Sequence, residues 1–335
     1  MTTVHFVYPR DPARISSPWC IGNEVGQRLQ RRYDVKFYDW RHRGAVDAAP
    51  GDVLLGHPHW SSSSVFKRSL SHPNLARRIA MSPYVGDPRQ VAFMDQMIDR
   101  CDLYLAITGG YWFRRIAQTP MRRWEPKMVH LDLAVNREHF PLLKQHYNPP
   151  GQRRFVYIGH TAKNKNVGFL SRMQQASTDA DIHWIGRGRK PIAGLKALGP
   201  QDFSTPQGRE LVSGFDFMVT VGAWDANPTT VLEALSWGLI PVVSKQSGYE
   251  DCPGIVNVPI DDAHAAAAVL KQLQWCPDEE LQHLRAQGEE LLQRHFHWDR
   301  FHAQVEQAIE SGKSPVLRRP RLGESLALFR HRLFH

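Results

Sequence analysis

Two carboxylates flank a helix start in the stretch WDANPTTVLEALSWGLIPVVS (224–244): Asp225 precedes it and Glu233 lies inside it. Between them, Asn227 reads as an N-cap and Pro228 as the first helical residue, where a missing N–H costs nothing. Such an opening leaves the N–H groups of Thr229, Thr230 and Val231 unpaired and partially positive, an arrangement that attracts phosphate. Glu233 falls one turn beyond Thr229 on the same face. A carboxylate there is poor for phosphate but suits paired hydroxyls, such as those of a ribose. Phosphate at the helix end and ribose at the glutamate together describe a nucleoside diphosphate. For this fragment alone, a capped helix with a surface glutamate is the other reading.

A second stretch supplies positive charge. FVYIGHTAKNKNVGFLSRM (155–173) reads as a strand, a basic loop and a helix, with Gly159 and His160 at the strand end and Lys163 and Lys165 in the loop. Either lysine can neutralise a diphosphate. DIHWIGRGR (181–189) is a strand closed by the turn Gly186-Arg187-Gly188.

These groups need a scaffold that presents strand ends side by side. FDFMVTV (215–221) is apolar and β-branched enough for a buried strand, Gly238 stops the helix, and LIPVVS (239–244) is the next strand. Strand, loop, helix and strand in one sheet imply a parallel crossover. Further strands are expected at 4–8, 35–39, 52–56, 78–81, 103–108 and 128–131, then at 155–159, 181–186 and 254–258, with a helix over 22–32. The chain has 335 residues, enough for two domains. The proline-rich FPLLKQHYNPPGQRR carries the expected linker, 141–154. The expected plan is an N-terminal Rossmann-like domain over 1–140, a second over 155–310 and a tail over 311–335, with ligand in a cleft at the carboxyl ends of strands.

Composition narrows the class. Hydrophobic content of 42% and charged content of 22% are those of a globular protein, and no apolar run is long enough to span a bilayer. MTTVHFVYPR has neither a basic flank nor an apolar signal core, and four scattered cysteines lack metal spacing, so a cytoplasmic protein with reduced thiols is expected. The net charge of +9 favours an anionic partner. No nucleic acid is expected, because no recognised binding motif appears.

In order and spacing, residues 128–310 resemble the C-terminal half of the GT-B glycosyltransferases of family 4, the glycogen-synthase-like retaining enzymes. Gly159-His160 stands where that family has Gly-Arg, Lys165-Asn166 where it has Lys-Gly, and Asp225 and Glu233 where it has Glu-x7-Glu. Ser247-Gly248-Tyr249-Glu250 is similar to its Gly-Gly-x-x-Glu loop, Phe296-His297-Trp298 to its terminal motif, and Asp132 to Pro141 to its interdomain crossing segment. The resemblance implies an α/β GT-B fold and transfer of a sugar, with retention, from a nucleotide-diphosphate sugar donor to a glycan or lipid-linked acceptor, in cell-surface polysaccharide or glycolipid synthesis. It implies Asp225 and Lys165 as catalytic; His59, in the loop after the third strand, is added as the third catalytic candidate from its own position, since the family's histidine belongs to the next strand, where this chain has Met81-Ser82-Pro83-Tyr84. Gly159, His160, Lys163, Lys165, Gly186, Arg187, Asn227, Thr229, Thr230 and Glu233 would bind the nucleotide-sugar. With Lys165 and the helix end supplying positive charge, no divalent metal and no cofactor are expected. Histidine in place of arginine at 160 makes one charge pH-dependent, and aspartate at 225 shortens the reach to the sugar.

The first half is then expected to bind the acceptor, through Ser16 and Ser17 after the first strand, His57 and Trp60 after the third, and Thr108 and Gly109 after the fifth. For His59, packing of its loop is the competing reading. The tail mixes Arg318, Arg319, Arg321, Arg330 and Arg332 with Leu322, Leu326, Phe329, Leu333 and Phe334 at helical spacing. It would form an amphipathic helix that packs on the first domain or contacts an anionic membrane surface. Two other functions share the architecture: a sugar-nucleotide epimerase and a non-catalytic nucleotide-sugar binder.

Overall fold

The computed structural model describes residues 2–59, 64–87 and 92–311. Trp60 and the expected tail helix lie outside the described residues. Two compact units account for the rest: the first runs to Thr108, resumes over Trp112–Asp132 and returns at Trp298, and the second comprises Gly109–Tyr111 and Leu133–His297.

The first unit is a six-stranded sheet of β1 (Thr3–Val7), β2 (Asp34–Tyr38), β3 (Asp52–Gly56), β4 (Leu75–Pro83), β5 (Leu103–Ile107) and β6 (Met128–Leu131). The order is β2-β1-β3-β4-β5-β6, parallel throughout. Its strands read as unbroken apolar runs because both faces are covered; β3 is buried along its whole length. β4 begins three residues before the expected 78. Arg77 and Arg78 look like a strand boundary in sequence, but at the start of this interior strand their guanidinium groups donate to the Ser311 hydroxyl and to the Leu70 and His72 carbonyls. The first helix is Trp19–Leu29, three residues ahead of the expected 22–32, with Ile21, Val25 and Leu29 buried.

The second unit has β7 (Phe155–Ile158), β8 (Ile182–Ile185), β9 (Lys196–Gly199), β10 (Phe217–Thr220), β11 (Ile240–Ser244) and β12 (Val256–Val258), all parallel, in the order β12-β11-β10-β7-β8-β9. Phe155 and Phe217 stack at 4.7 Å in its core. Strand β9 is absent from the sequence reading: KALG lies at the sheet edge, half-exposed, and carries no apolar alternation. The order reverses between β7 and β10, so the connections that leave their carboxyl ends run in opposite directions and leave a crevice, the usual ligand position in open α/β sheets.

The structure places both ends of the second unit differently from the expectation. Residues 141–154 belong to it and do not hang free. Leu143 and Lys144 donate backbone N–H groups to the Trp237 carbonyl at 3.0 and 2.8 Å, and Tyr147 donates its hydroxyl to the Gly238 carbonyl at 3.0 Å. The Trp298–Glu310 helix, expected in 155–310, belongs to the first unit. Its Phe301, Val305 and Ile309 are buried, each contributing roughly 1.5–3 kcal/mol. Its exposed ion pair, Arg32 to Glu310 at 2.6 Å, contributes under about 1 kcal/mol. Burial therefore holds this helix. No helix among the described residues is long and apolar enough to cross a membrane.

Candidate functional site

The crevice between β7 and β10 gathers most of the residues that the sequence singles out. β7 ends at Ile158, and the chain turns at Gly159 into the loop that carries His160 and Lys163. Tyr157 donates its hydroxyl to the His160 carbonyl at 2.6 Å, and the Ala162 N–H donates to His160 Nδ1 at 3.2 Å, so the ring folds back on its own loop. Burial and the nearby Lys165 ammonium hold the His160 pKa below the usual imidazole value. His160 is therefore neutral near pH 7 and does not replace an arginine's charge.

A one-turn 3-10 segment, Lys163–Lys165, ends at Asn166, which takes the left-handed conformation (φ 53°) and starts the Val167–Ala176 helix. Beside it, β8 ends at Ile185 and the chain turns at Gly186. A Cβ there would sit 2.0 Å from the Gly159 carbonyl oxygen, and one at Gly188 would sit 2.5 Å from the Thr161 methyl. Only glycine permits this approach. The two loops border a cleft of about 830 Å³ whose wall includes His160, Gly168, Arg187, Arg189 and Lys190. This wall is strongly basic.

From β10, the chain passes Gly222 and reaches Asp225. Ala223 donates its N–H to the Asn164 carbonyl at 2.9 Å, tying the two loops together. Lys165 Nζ lies 2.5 Å from Asp225 Oδ2, with both side chains largely buried. The ammonium and the first carboxylate, read from sequence as separate groups, form an ion pair here.

The helix opening differs from expectation in one respect. The helix is Thr229–Trp237 with Pro228, not Asn227, at the cap position, and no side chain caps it. The Asn227 amide oxygen accepts from the Tyr249 hydroxyl instead, leaving Asn227 Nδ2 buried without a protein partner. Tyr249 outcompetes the helix end for Asn227. Val231 donates to the Pro228 carbonyl at 3.1 Å, whereas the N–H groups of Thr229 and Thr230 have no acceptor among the described residues. An uncapped helix start facing a ligand crevice is better suited to an anion than a capped one.

Glu233 is 7% exposed, buried in a helix whose last seven residues are all buried. Desolvation raises its pKa to about 7, against the opposing pull of the Thr229 hydroxyl and the Lys165 ammonium. Between about 4.5 and 7 the folded state holds a proton that the unfolded chain has released, so stability falls as pH rises through that window. Glu233→Gln is expected to flatten this slope, as read from urea midpoints at pH 5 and pH 7.5. A slope unchanged by the substitution would show that Glu233 is ionised throughout.

The residues expected to hold an acceptor are scattered. Ser16 and Ser17 are exposed in the loop after β1. Thr108 is fully buried and donates its hydroxyl to the Tyr84 carbonyl at 2.5 Å, so it presents nothing to a ligand. Gly109, in the second unit, donates its N–H to the Ala226 carbonyl at 2.7 Å, and a Cβ there would collide with Gly248. Its role in this structure is close backbone packing.

At the carboxyl ends of β1, β2 and β3, the rings of Tyr8, Trp40, His57 and His59 cluster: Trp40 lies 4.7 Å from His57 and 5.5 Å from His59. Burial pushes His57 down to about 3 and lowers His59 as well, so the cluster is uncharged near pH 7. Sequence reasoning missed Trp40. Its position just past the end of β2, level with His57 past β3, was the available signal.

No protein-family model matches the chain, and no curated protein matches it by sequence. Solved structures do match in fold. A sucrose-phosphate synthase from Thermosynechococcus elongatus superposes with a TM-score of 0.69 at 13% identity, over 92% of this chain and 98% of that one. An α,α-trehalose-phosphate synthase (UDP-forming) from Burkholderia vietnamiensis gives 0.65 at 10% identity, over 93% and 99%. An α-glucosyltransferase in complex with UDP and a 13-mer DNA gives 0.58 at 12% identity, over 92% and 99%. With two parallel six-stranded sheets, each in a Rossmann-like α/β unit, the chain has the GT-B fold shared with these glycosyltransferases.

Proposed function

We propose that the chain is a glycosyltransferase that moves a sugar from a nucleotide-diphosphate donor to a glycan or lipid-linked acceptor, with retention and without a metal. The observation that carries this reading is the meeting of Lys165, Asp225, the uncapped Thr229–Trp237 helix and the buried Glu233 at the strand reversal of the second unit. Two structural neighbours, the α-glucosyltransferase above and a pneumococcal O-GlcNAc transferase, were solved with UDP. At these identities their acceptors do not carry over, and DNA is not part of the reading.

In this mechanism the donor's diphosphate receives the Lys165 ammonium and the N–H groups of Thr229 and Thr230. Lys163 and Arg187 add charge at the rim, and Glu233 takes the ribose hydroxyls. As the C1–O bond to phosphate breaks and a C1–O bond to the acceptor oxygen forms, the acceptor hydroxyl's proton passes to the departing phosphate oxygen, and these fixed donors stabilise the charge that grows on the diphosphate. Moving Lys165 onto phosphate frees Asp225 to bind sugar hydroxyls, so donor binding itself completes the sugar pocket. His59, in the aromatic cluster of the first unit, is assigned to the acceptor side. Cell-surface polysaccharide or glycolipid assembly is the setting proposed for the product.

A thermal-shift panel of UDP-, GDP-, ADP- and dTDP-sugars tests the reading. One base series is expected to stabilise the protein by about 2.7 kcal/mol at a hundredfold excess over Kd. No shift with any series would overturn it. Incubating the stabilising donor without acceptor separates transfer from epimerisation, since only an epimerase converts the donor's sugar.

A further inference from the structure

The cleft of about 830 Å³ has a wall of unusual chemistry. Ala162, Val167, Pro191 and Ile192 give it an apolar floor, and Arg187, Arg189 and Lys190 are exposed along its rim. None of these three cationic side chains has a hydrogen-bond or ion-pair partner among the described residues. No Asp, Glu, Asn or Gln lines the cleft. Guanidinium and ammonium groups donate and never accept. His160 Nδ1 already takes the Ala162 N–H, so the hydroxyls of Thr161 and Ser171 are the remaining side-chain acceptors.

The floor is held in place. Ser171 donates its hydroxyl to the Ala193 carbonyl at 2.8 Å, tying the 187–193 loop to the Val167–Ala176 helix, and Ile192 is buried. Arg189 stands two residues before Pro191, at the edge of that floor. His160, Thr161 and Ala162 line the cleft, and three residues further on Lys165 pairs with Asp225. One short loop therefore serves both the cleft and the diphosphate site.

Resting on the reading that the second unit grips a nucleoside diphosphate, we infer that this cleft receives the base, that the base is guanine and that Arg189 selects it. A flat ring lying on the apolar floor turns its edge to the rim. Guanine shows two acceptors side by side, O6 and N7, the pair that an arginine fork grips bidentately. Adenine sets an amino donor beside N7, which calls for an amide or carboxylate that the wall lacks. Uracil and thymine present O4 with no acceptor next to it.

Calorimetric titration of the full chain with GDP, UDP, ADP and dTDP tests this. GDP is expected to bind at least about tenfold more tightly than the others, equivalent to about 1.4 kcal/mol. 7-Deaza-GDP, which lacks the N7 acceptor, should lose that advantage, whereas IDP, which keeps O6 and N7, should retain it. Arg189→Ala should bind GDP about tenfold more weakly and UDP as before, and Arg189→Lys, with the charge but not the fork, should behave like Arg189→Ala. Because Arg189 is exposed, neither variant should lower the melting temperature. Preference for another base, undiminished binding of 7-deaza-GDP, or GDP affinity kept by either variant overturns the guanine assignment and leaves the nucleotide reading standing. Binding of none of the four overturns that reading, and this inference with it.

Discussion

Lys165→Ala is expected to lower kcat by about 10²–10³, or roughly 2.7–4 kcal/mol of transition-state stabilisation, the usual consequence of removing one preorganised donor from a developing anion. The magnitude rests on placement. Lys165 is largely buried, 2.5 Å from Asp225 and close enough to Glu233 to lower its pKa, so its charge acts in a poorly screened pocket. Lys163, on the exposed side of the same turn, does not compensate. Lys165→Arg should recover part of the activity, because the charge returns with a different reach. Steady-state kinetics with the donor found by thermal shift decide the matter, and wild-type turnover by Lys165→Ala would remove the ammonium from the mechanism.

The largest expected effect on stability is at Asp216. This fully buried carboxylate takes the Lys144 ammonium at 3.0 Å, the backbone N–H groups of Asn148 and Arg154 at 2.8 Å each, and the Asn148 side-chain amide at 2.7 Å. Asp216→Ala removes the counter-ion of the buried Lys144 ammonium and the acceptor of the Asn148 and Arg154 backbone N–H groups, leaving Lys144 only the Ser213 carbonyl at 3.2 Å. A loss of about 3–5 kcal/mol follows from the unpaired charge. It should appear as a lowered urea midpoint with an unchanged slope. A loss below about 1 kcal/mol would mean that Lys144 reaches water when its partner is removed. The pair also explains why 141–154 docks: proline and polar residues suggest a tether, but Lys144 and Asn148 anchor it to Asp216, immediately before β10.

The fold was legible where chemistry is local. Apolar runs such as DVLLG and FDFMVTV have no role except as buried strands, and Gly238 marks a helix end that the structure confirms with φ 87°. What needs a distant partner was not legible. Asn227 has a good N-cap side chain, yet Tyr249, 22 residues on, claims it. Lys165 and Asp225 were both singled out, but their pairing spans 60 residues and depends on the β7–β10 reversal. Glu233 reads as a face residue by spacing, whereas neighbours on every side of its helix bury it. Thr108 carries a hydroxyl at a strand end, and only the position of the Tyr84 carbonyl reveals that it points inward.

The return of the Trp298–Glu310 helix to the first unit bears on how the molecule is made. During synthesis the first sheet emerges early, but Phe301, Val305 and Ile309, which cover part of it, leave the ribosome only after the whole second unit. Until then an apolar strip stays uncovered, the kind of surface on which nascent chains aggregate and chaperones act. A fragment cut at 132 would retain that strip permanently, so division of this protein into separately expressed halves should follow the packing and not the linear order of residues.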